Sequence, residues 1–141
     1  MKKFIALLIV VILGVSLCAC SSKPSKDDLM VEANRFIATD TTGKPYYNIN
    51  GEYSEDYNAY YVIISINSDY YLKDYSGSSA DTELYLGAAE GILSRNGNIA
   101  NIVDYIFNEL KDIFEDSEID VVVGYQNIRG EFSETRTTIE Q

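Results

Sequence analysis

The segment of residues 98–126 reads NIANIVDYIFNELKDIFEDSEIDVVVGYQ and decides the fold class of the chain. Its first part carries apolar residues at helical spacing on one stripe: Ile99, Ile102, Val103, Ile106, Phe107, Leu110, Ile113 and Phe114. A helix with such a stripe, which Asn98 is placed to cap, packs one face against a core. From Ile119 to Gln126 the apolar residues alternate instead, which predicts a half-buried strand. This succession predicts a helix packed on a sheet.

Three further strands are predicted. The run from Tyr60 to Ile66 is apolar on both of its faces, which is usual for a central strand. Residues 46–53 are expected to pair with it through a loop at residues 54–56. Gly130 is expected to turn the chain into a last strand at residues 131–139, whose polar content suits the edge of a sheet.

Two other helices complete the predicted order. One covers residues 25–39 and is capped by its first residue, and the other begins at Ser78 or Ser79. The second helix has an apolar face formed by Tyr85, Ala88, Ala89, Ile92 and Leu93. It also contains Gly87 and Gly91, four residues apart, which indicate either close packing against a neighbour or a break in the helix.

The order of elements is helix, one or two strands, two helices, and one or two strands. A polar loop at residues 69–79 precedes the middle helices. We therefore expect an α+β fold with two layers, in which helices pack on one face of a small antiparallel or mixed sheet of three to four strands.

The first twenty residues are typical of an export signal. A basic start is followed by an uncharged run that ends in small residues. Leu17, Ala19 and Cys20 resemble the lipobox of bacterial lipoproteins. The resemblance implies that signal peptidase II recognises Leu17 and Ala19 and that Cys20 receives a diacylglyceryl group. An uncleaved membrane anchor is the alternative, but the run is shorter than the roughly 20 apolar residues that span a bilayer.

This interpretation divides the chain into three parts. Residues 1–19 are the signal peptide, residues 20–25 are the lipidated cysteine with a short linker, and residues 26–141 are a single α+β domain. The protein is then exported and lipid-anchored to the outer face of a bacterial cell membrane. Neither cysteine is left as a free thiol, since Cys18 leaves with the signal peptide and Cys20 is modified.

The composition excludes several kinds of function. The chain has no His, so catalytic triads, His-ligated zinc and a His-based pH switch are excluded. Removal of residues 1–19 takes away Lys2 and Lys3 and leaves 22 acidic against nine basic residues, a net charge of −13. This charge repels nucleic acid, and no basic stripe is present to offset it. An extracytoplasmic protein is the expected partner, and the charge favours a basic one. The alternative is that the negative charge only keeps the domain soluble.

Nine tyrosines fall within thirty residues, from Tyr46 to Tyr75. Tyrosine combines a rigid apolar ring with a polar tip, which suits the recognition of proteins or sugars. Four of these residues lie in the least regular part of the stretch and are the predicted contacts for a partner: Tyr46, Tyr47, Tyr53 and Tyr57. The alternative is that they are half-buried at the margin of the sheet.

Acidic residues crowd the end of the long helix. The candidates for a cation or basic-partner site are Asp112, Glu115, Asp116, Glu118 and Asp120. Negative charge at the C-terminal end of a helix opposes the helix dipole and is therefore unfavourable. An unfavourable local feature with no evident compensation indicates function. Carboxylate oxygens suit Ca²⁺ or the Lys and Arg side chains of a partner, and no other cofactor is predicted. Ordinary solvated acids are the alternative.

No catalytic residue is predicted, because no nucleophile motif, phosphate-binding loop or metal signature is present. We expect a non-catalytic protein-binding module of the cell envelope. The alternative is a carboxylate-dependent glycan hydrolase or a Ca²⁺-binding module associated with the wall, since two carboxylates alone can hydrolyse a glycosidic bond.

Overall fold

The computed structural model describes residues 23–136. Its elements, in chain order, are α1 (Lys26–Thr39), β1 (Tyr47–Ser54), β2 (Ala59–Ile66), α2 (Ser68–Leu72), a 3-10 turn (Ser79–Asp81), α3 (Thr82–Arg95), α4 (Asn98–Phe114), β3 (Asp120–Gln126) and β4 (Phe132–Arg136). The predicted lipobox and the end of the predicted last strand lie outside the described residues. None of the helices between residues 23 and 136 is long and apolar enough to cross a membrane.

The four strands form one mixed sheet in the order β1-β2-β3-β4. β1 pairs with β2 and β3 pairs with β4 in antiparallel fashion, whereas the two central strands are parallel. A parallel pair needs a crossover connection, and α2, α3 and α4 supply it. The prediction of a small α+β sheet with helices is confirmed.

The core lies between one face of the sheet and two helices, α1 and α4. β2 contributes Tyr60, Val62 and Ile64, none of which has any exposed surface. The predicted stripe of α4 supplies the facing layer, and its buried members are Ile102, Val103, Ile106, Leu110 and Phe114. β2 is buried because it lies between β1 and β3 and because α1 and α4 cover its core face.

Tyr60 is the largest side chain that is completely buried. Its ring packs against Phe114 with 5.5 Å between centroids, and its hydroxyl donates a hydrogen bond of 2.7 Å to Asn34 of α1. Gly51 on the neighbouring strand makes room for this ring, because a Cβ there would lie 2.6 Å from the Tyr60 hydroxyl. Gly51 therefore lets the Tyr60 ring lie across β1, and β1 continues through this glycine.

Both long helices that pack on the core begin at defined residues. Ser25 is the N-cap of α1, as predicted, and it forms a capping box with Asp28: its hydroxyl accepts from the Asp28 backbone and the Asp28 carboxylate accepts from the Ser25 backbone. For α4 the predicted cap was wrong by one residue. Gly97 is the N-cap, with a φ of 72°, and Asn98 is already helical. The left-handed backbone at this junction favours glycine.

Two other predictions were wrong. The segment predicted to be a polar loop contains α2. This helix has only five residues, which is too short for a helical period of apolar residues to show in the sequence. β3 is buried on both faces rather than one, since Val122 is only 2% exposed. On the far face, the ring of Phe132 occupies the space that a side chain at Gly124 would need.

We expect the stability of the protein to fall above pH 10 because of Tyr60. Burial raises the pKa of Tyr60 to about 12, whereas the pKa of a tyrosine in the unfolded chain is about 10. The folded state therefore holds this proton more tightly, so the stabilisation is complete below pH of about 10 and is lost as the pH rises toward about 12. Urea denaturation across this range measures the effect.

The matched variant for this experiment is Tyr60→Phe, which has no proton to lose. Its free energy of unfolding should decline less steeply with pH than that of the wild type. Equal slopes in the two proteins would contradict the assignment to Tyr60.

Candidate functional site

An apolar groove of about 290 Å³ lies between α2 and α3 and is lined by Tyr71, Tyr85, Ala88, Ala89, Ile92 and Leu93. Three further tyrosines extend it through ring contacts: Tyr46, Tyr70 and Tyr75. We call these nine residues the tyrosine groove.

The five rings form two aromatic clusters. Tyr70 packs edge-on against Tyr46 and Tyr71, with centroid separations of 5.1 and 5.3 Å. Tyr75 and Tyr85 are stacked, with centroids 4.6 Å apart. Tyr71 and Tyr85, one from each cluster, both line the groove. Offset and edge-to-face contacts of this kind hold rings in fixed orientations.

Asn67 positions the first cluster. Its backbone N–H donates to the carbonyl of Tyr46 at 2.9 Å, and its side-chain amide donates to the carbonyl of Pro45 at 2.9 Å. Its side-chain oxygen also accepts from the N–H of Tyr70 at 3.3 Å, which caps α2. One residue therefore joins the segment that carries Tyr46 to the helix that carries Tyr70 and Tyr71.

The inner side of α3 is attached to the end of β3. The Glu90 carboxylate accepts from the Tyr125 hydroxyl at 2.7 Å and from the N–H of Ile128 at 3.2 Å. A Cβ on Gly87 would lie 3.2 Å from Cδ1 of Ile128, which confirms the close packing predicted at this glycine. Gly91, by contrast, faces open space apart from the Arg95 side chain.

The apolar face of α3 lies mainly at the surface, although Leu93 packs against the core. Leu86 is the only buried residue of this helix. Leu84 is 75% exposed, Ile92 56% and Tyr85 41%. Exposed apolar residues that adjoin in this way mark a surface for interaction.

The hydroxyls of the tyrosine groove have no hydrogen-bond partner among residues 23–136. Four other tyrosines donate to a side-chain oxygen within the domain: Tyr53, Tyr60, Tyr105 and Tyr125. Partial burial, and then the nearby phenols of Tyr70, Tyr46 and Tyr85, raise the pKa of Tyr71. Its hydroxyl therefore stays protonated at neutral pH and can donate to a ligand.

The four predicted contact tyrosines do not form one site. Tyr46 is 44% exposed and belongs to the tyrosine groove, whereas Tyr57 is 72% exposed at the tip of the β1–β2 hairpin. Tyr53 donates to Asn58 and lies beneath the Lys26 ammonium, 4.1 Å from its ring centroid. Tyr47 is only 5% exposed and belongs to the core, so it has no surface to offer a partner.

Tyr85 was not among the predicted contacts, and neither were Tyr70, Tyr71 and Tyr75. The density of tyrosines in the sequence was the signal that could have indicated the last three. Tyr85 lies ten residues beyond Tyr75 on another helix, and only the stacking of the two rings shows that they belong together.

The predicted acidic site is a charged surface at the end of α4. Asp112, Glu115, Asp116 and Glu118 are exposed, and Asp120 is half-buried at the start of β3. Within the described part of the chain, no three His, Cys, Asp or Glu side chains come together in a way that could hold a metal ion.

Two other cavities lie on the sheet. A groove of about 650 Å³ on the face without helices is lined by Glu52, Ser54, Tyr57, Ala59, Tyr61, Asp120, Val122 and Phe132. A cleft of about 440 Å³ opens at the carboxyl ends of β2 and β3, where Asn48, Ser65 and Gln126 lie side by side on three strands.

No family model matches the chain, and no curated protein or solved structure matches it either. Its function is therefore inferred from the residues and their geometry.

We expect Asn67→Ala to lower the free energy of unfolding by about 1–3 kcal/mol, because it removes a helix cap and a hydrogen bond between two segments. The change should also disturb the near-ultraviolet circular dichroism of the tyrosines. Chemical denaturation measures the first effect.

Asn50→Ala is the control for this variant. Asn50 is an exposed residue of β1 with no side-chain hydrogen bond among the described residues, so its loss should change stability by less than about 0.5 kcal/mol. Equal stability of the two variants would show that Asn67 does not hold the groove together.

Proposed function

We propose that this protein is an exported lipoprotein that is anchored to a bacterial membrane through Cys20 and binds another extracytoplasmic protein without catalysing a reaction. The lipobox resemblance of Leu17, Ala19 and Cys20 supports the anchor. The segment of residues 21–25 reaches at most about 17 Å, so the domain and its partner would meet close to the membrane.

The tyrosine groove is the observation that carries the binding function. It combines an exposed apolar surface with phenol hydroxyls that have no partner within the described residues. Tyrosine loses little side-chain entropy on binding and supplies both contact area and a hydrogen bond. A partner protein would cover the apolar side chains and pair with the hydroxyls.

The charge near the groove favours a basic partner. Residues 67–95, which carry α2 and α3, contain five acidic residues and two basic ones. Asp69, Asp74 and Glu83 are exposed and lie within two residues of a tyrosine of the groove. Complementary charge raises the rate of association and excludes like-charged partners.

Site-specific crosslinking in intact bacterial cells tests this function. A photoreactive phenylalanine analogue in place of Tyr85 should trap one protein, and raised salt should weaken the capture because surface charges are screened. The same analogue in place of Tyr57, which lies outside the groove and is more exposed than Tyr85 (72% against 41%), should not trap that protein. Cys20→Ala should release the domain from the membrane fraction.

Identical products from positions 85 and 57, or no product from position 85, would contradict binding through the groove. Retention of the Cys20→Ala variant in the membrane fraction would contradict the lipid anchor. The two parts of the proposal can therefore fail separately.

The groove on the open face of the sheet favours a second candidate, a carboxylate-dependent glycan hydrolase. Glu52 and Asp120 both line it, together with the aromatic rings of Tyr57, Tyr61 and Phe132. Two carboxylates across a groove are the catalytic groups of most glycoside hydrolases, and aromatic rings suit the apolar faces of sugars.

Release of reducing ends from purified cell-wall glycan distinguishes this candidate. If it is correct, Glu52→Gln and Asp120→Asn each abolish the release, because each removes one of two required groups. Glu118→Gln, which changes an exposed acid that does not line the groove, should have no effect. The absence of activity in the wild type would remove the hydrolase candidate.

A further inference from the structure

We propose that the tyrosine groove recognises an extended, proline-rich segment that carries a basic residue. This inference rests on the proposed function, because it specifies the chemistry of the protein segment bound at the same site.

The hydrogen-bonding groups of the groove favour proline. Its lining consists of the rings of Tyr71 and Tyr85 and of four aliphatic side chains, so the phenol hydroxyls are the polar groups that it presents. Five of the six lining residues lie within α3, whose backbone groups are hydrogen-bonded inside the helix. Each hydroxyl has a proton to donate, so a bound segment should offer carbonyl acceptors, whereas N–H groups that face the aliphatic lining would be buried without a partner. Proline has a carbonyl and no N–H.

The phenol hydroxyls of the tyrosine groove also favour an extended conformation for the bound segment. A polyproline II helix makes no internal hydrogen bonds, so all of its carbonyls are free to accept from Tyr46, Tyr70, Tyr71, Tyr75 and Tyr85. An α-helical ligand uses its carbonyls internally and would leave these hydroxyls unpaired. A ligand that adds a β-strand needs an open sheet edge, and this groove lies between two helices.

The apolar shape of the groove suits pyrrolidine rings. Ala88 and Ala89 form a shallow part of the lining between larger side chains. The stacked pair of Tyr75 and Tyr85 presents a rigid aromatic surface next to it. Grooves lined by aromatic side chains bind proline-rich segments because the ligand is already extended and loses little entropy.

Charge at the margin favours a basic residue beside the prolines. Asp69, Asp74 and Glu83 are exposed there. The nearby Lys73 is engaged with the face of Tyr70, with its ammonium 4.5 Å from the ring centroid. The negative charge available to a ligand therefore exceeds the positive charge. The same charge disfavours the anionic surface of a membrane as the occupant.

Fluorescence anisotropy with the full chain in detergent micelles tests the inference. The probe is a labelled proline-rich peptide with one terminal arginine, about ten residues and therefore roughly 30 Å long as a polyproline II helix. The comparison peptide has alanine in place of every second proline. We expect the proline-rich probe to bind at least about tenfold more tightly, because the alanines add unpaired N–H groups and flexibility.

Tyr85→Phe tests the role of the hydroxyls, since it keeps the ring and removes one donor. It should weaken binding of the proline-rich probe by about fivefold, the effect of one hydrogen bond. Tyr57→Phe removes an exposed hydroxyl outside the groove and should leave the affinity unchanged. Thermal melting of both variants confirms that they are folded.

Equal affinity for the two peptides would overturn the inference, and so would an unchanged affinity in Tyr85→Phe. Failure of this inference is distinguishable from failure of the proposed function. If Tyr85 crosslinks a protein in cells through a segment without prolines, the binding function stands and the proline inference is wrong. If neither the crosslink nor the peptide is found, both are wrong.

Discussion

The parallel pairing of β2 with β3 is the constraint on which the rest of the structure depends. Two adjacent parallel strands cannot be joined by a turn, so the chain must leave the end of β2 and return to the start of β3. The intervening residues form α2, α3 and α4. Of these three helices, only α4 buries an extended apolar stripe against the sheet. Because the core face is occupied by α1 and α4, α3 lies at the margin and its apolar side remains exposed.

A few polar contacts hold α2 and α3, and with them the tyrosine groove, in place. Asn67 joins the segment before β1 to α2, and Glu90 joins α3 to the end of β3. A related contact occurs at the other end of the sheet. There Asn58, with a φ of 46°, accepts from Tyr53 and donates to the carbonyl of Glu118. Asparagine tolerates this left-handed conformation better than most residues. These contacts connect segments distant in the chain, which gives a small domain a defined surface.

The chemistry of that surface follows from what the composition lacks. Without histidine, and with no metal cluster among the described residues, the polar groups available near neutral pH are carboxylates, hydroxyls, amides, ammonium and guanidinium groups. Phenol hydroxyls that remain protonated are hydrogen-bond donors attached to rigid apolar rings. Grouped between two helices, they are the groups on which the proposed binding function rests. In the proposed function, the acidic residues nearby would favour a basic partner.

The sequence by itself determined the elements that depend on local periodicity. The stripe of α4, the central strand β2, the hairpin that joins it to β1 and the N-cap at Ser25 were all predicted, because each signal lies within one continuous segment. The short α2 and the second buried face of β3 were not. A single helical turn shows no period, and the burial of Val122 and Gly124 depends on a ring that belongs to the next strand.

Only the tertiary structure decided which tyrosines share a surface. Tyr46 and Tyr47 are adjacent in the chain, yet Tyr46 is exposed at the end of a turn and Tyr47, the first residue of β1, is in the core. Tyr46, Tyr70 and Tyr85 come from three different segments and meet around one groove. Periodicity reports which way a side chain points within its own element. It does not report which other elements lie beside it, since that depends on the parallel pairing of strands more than fifty residues apart.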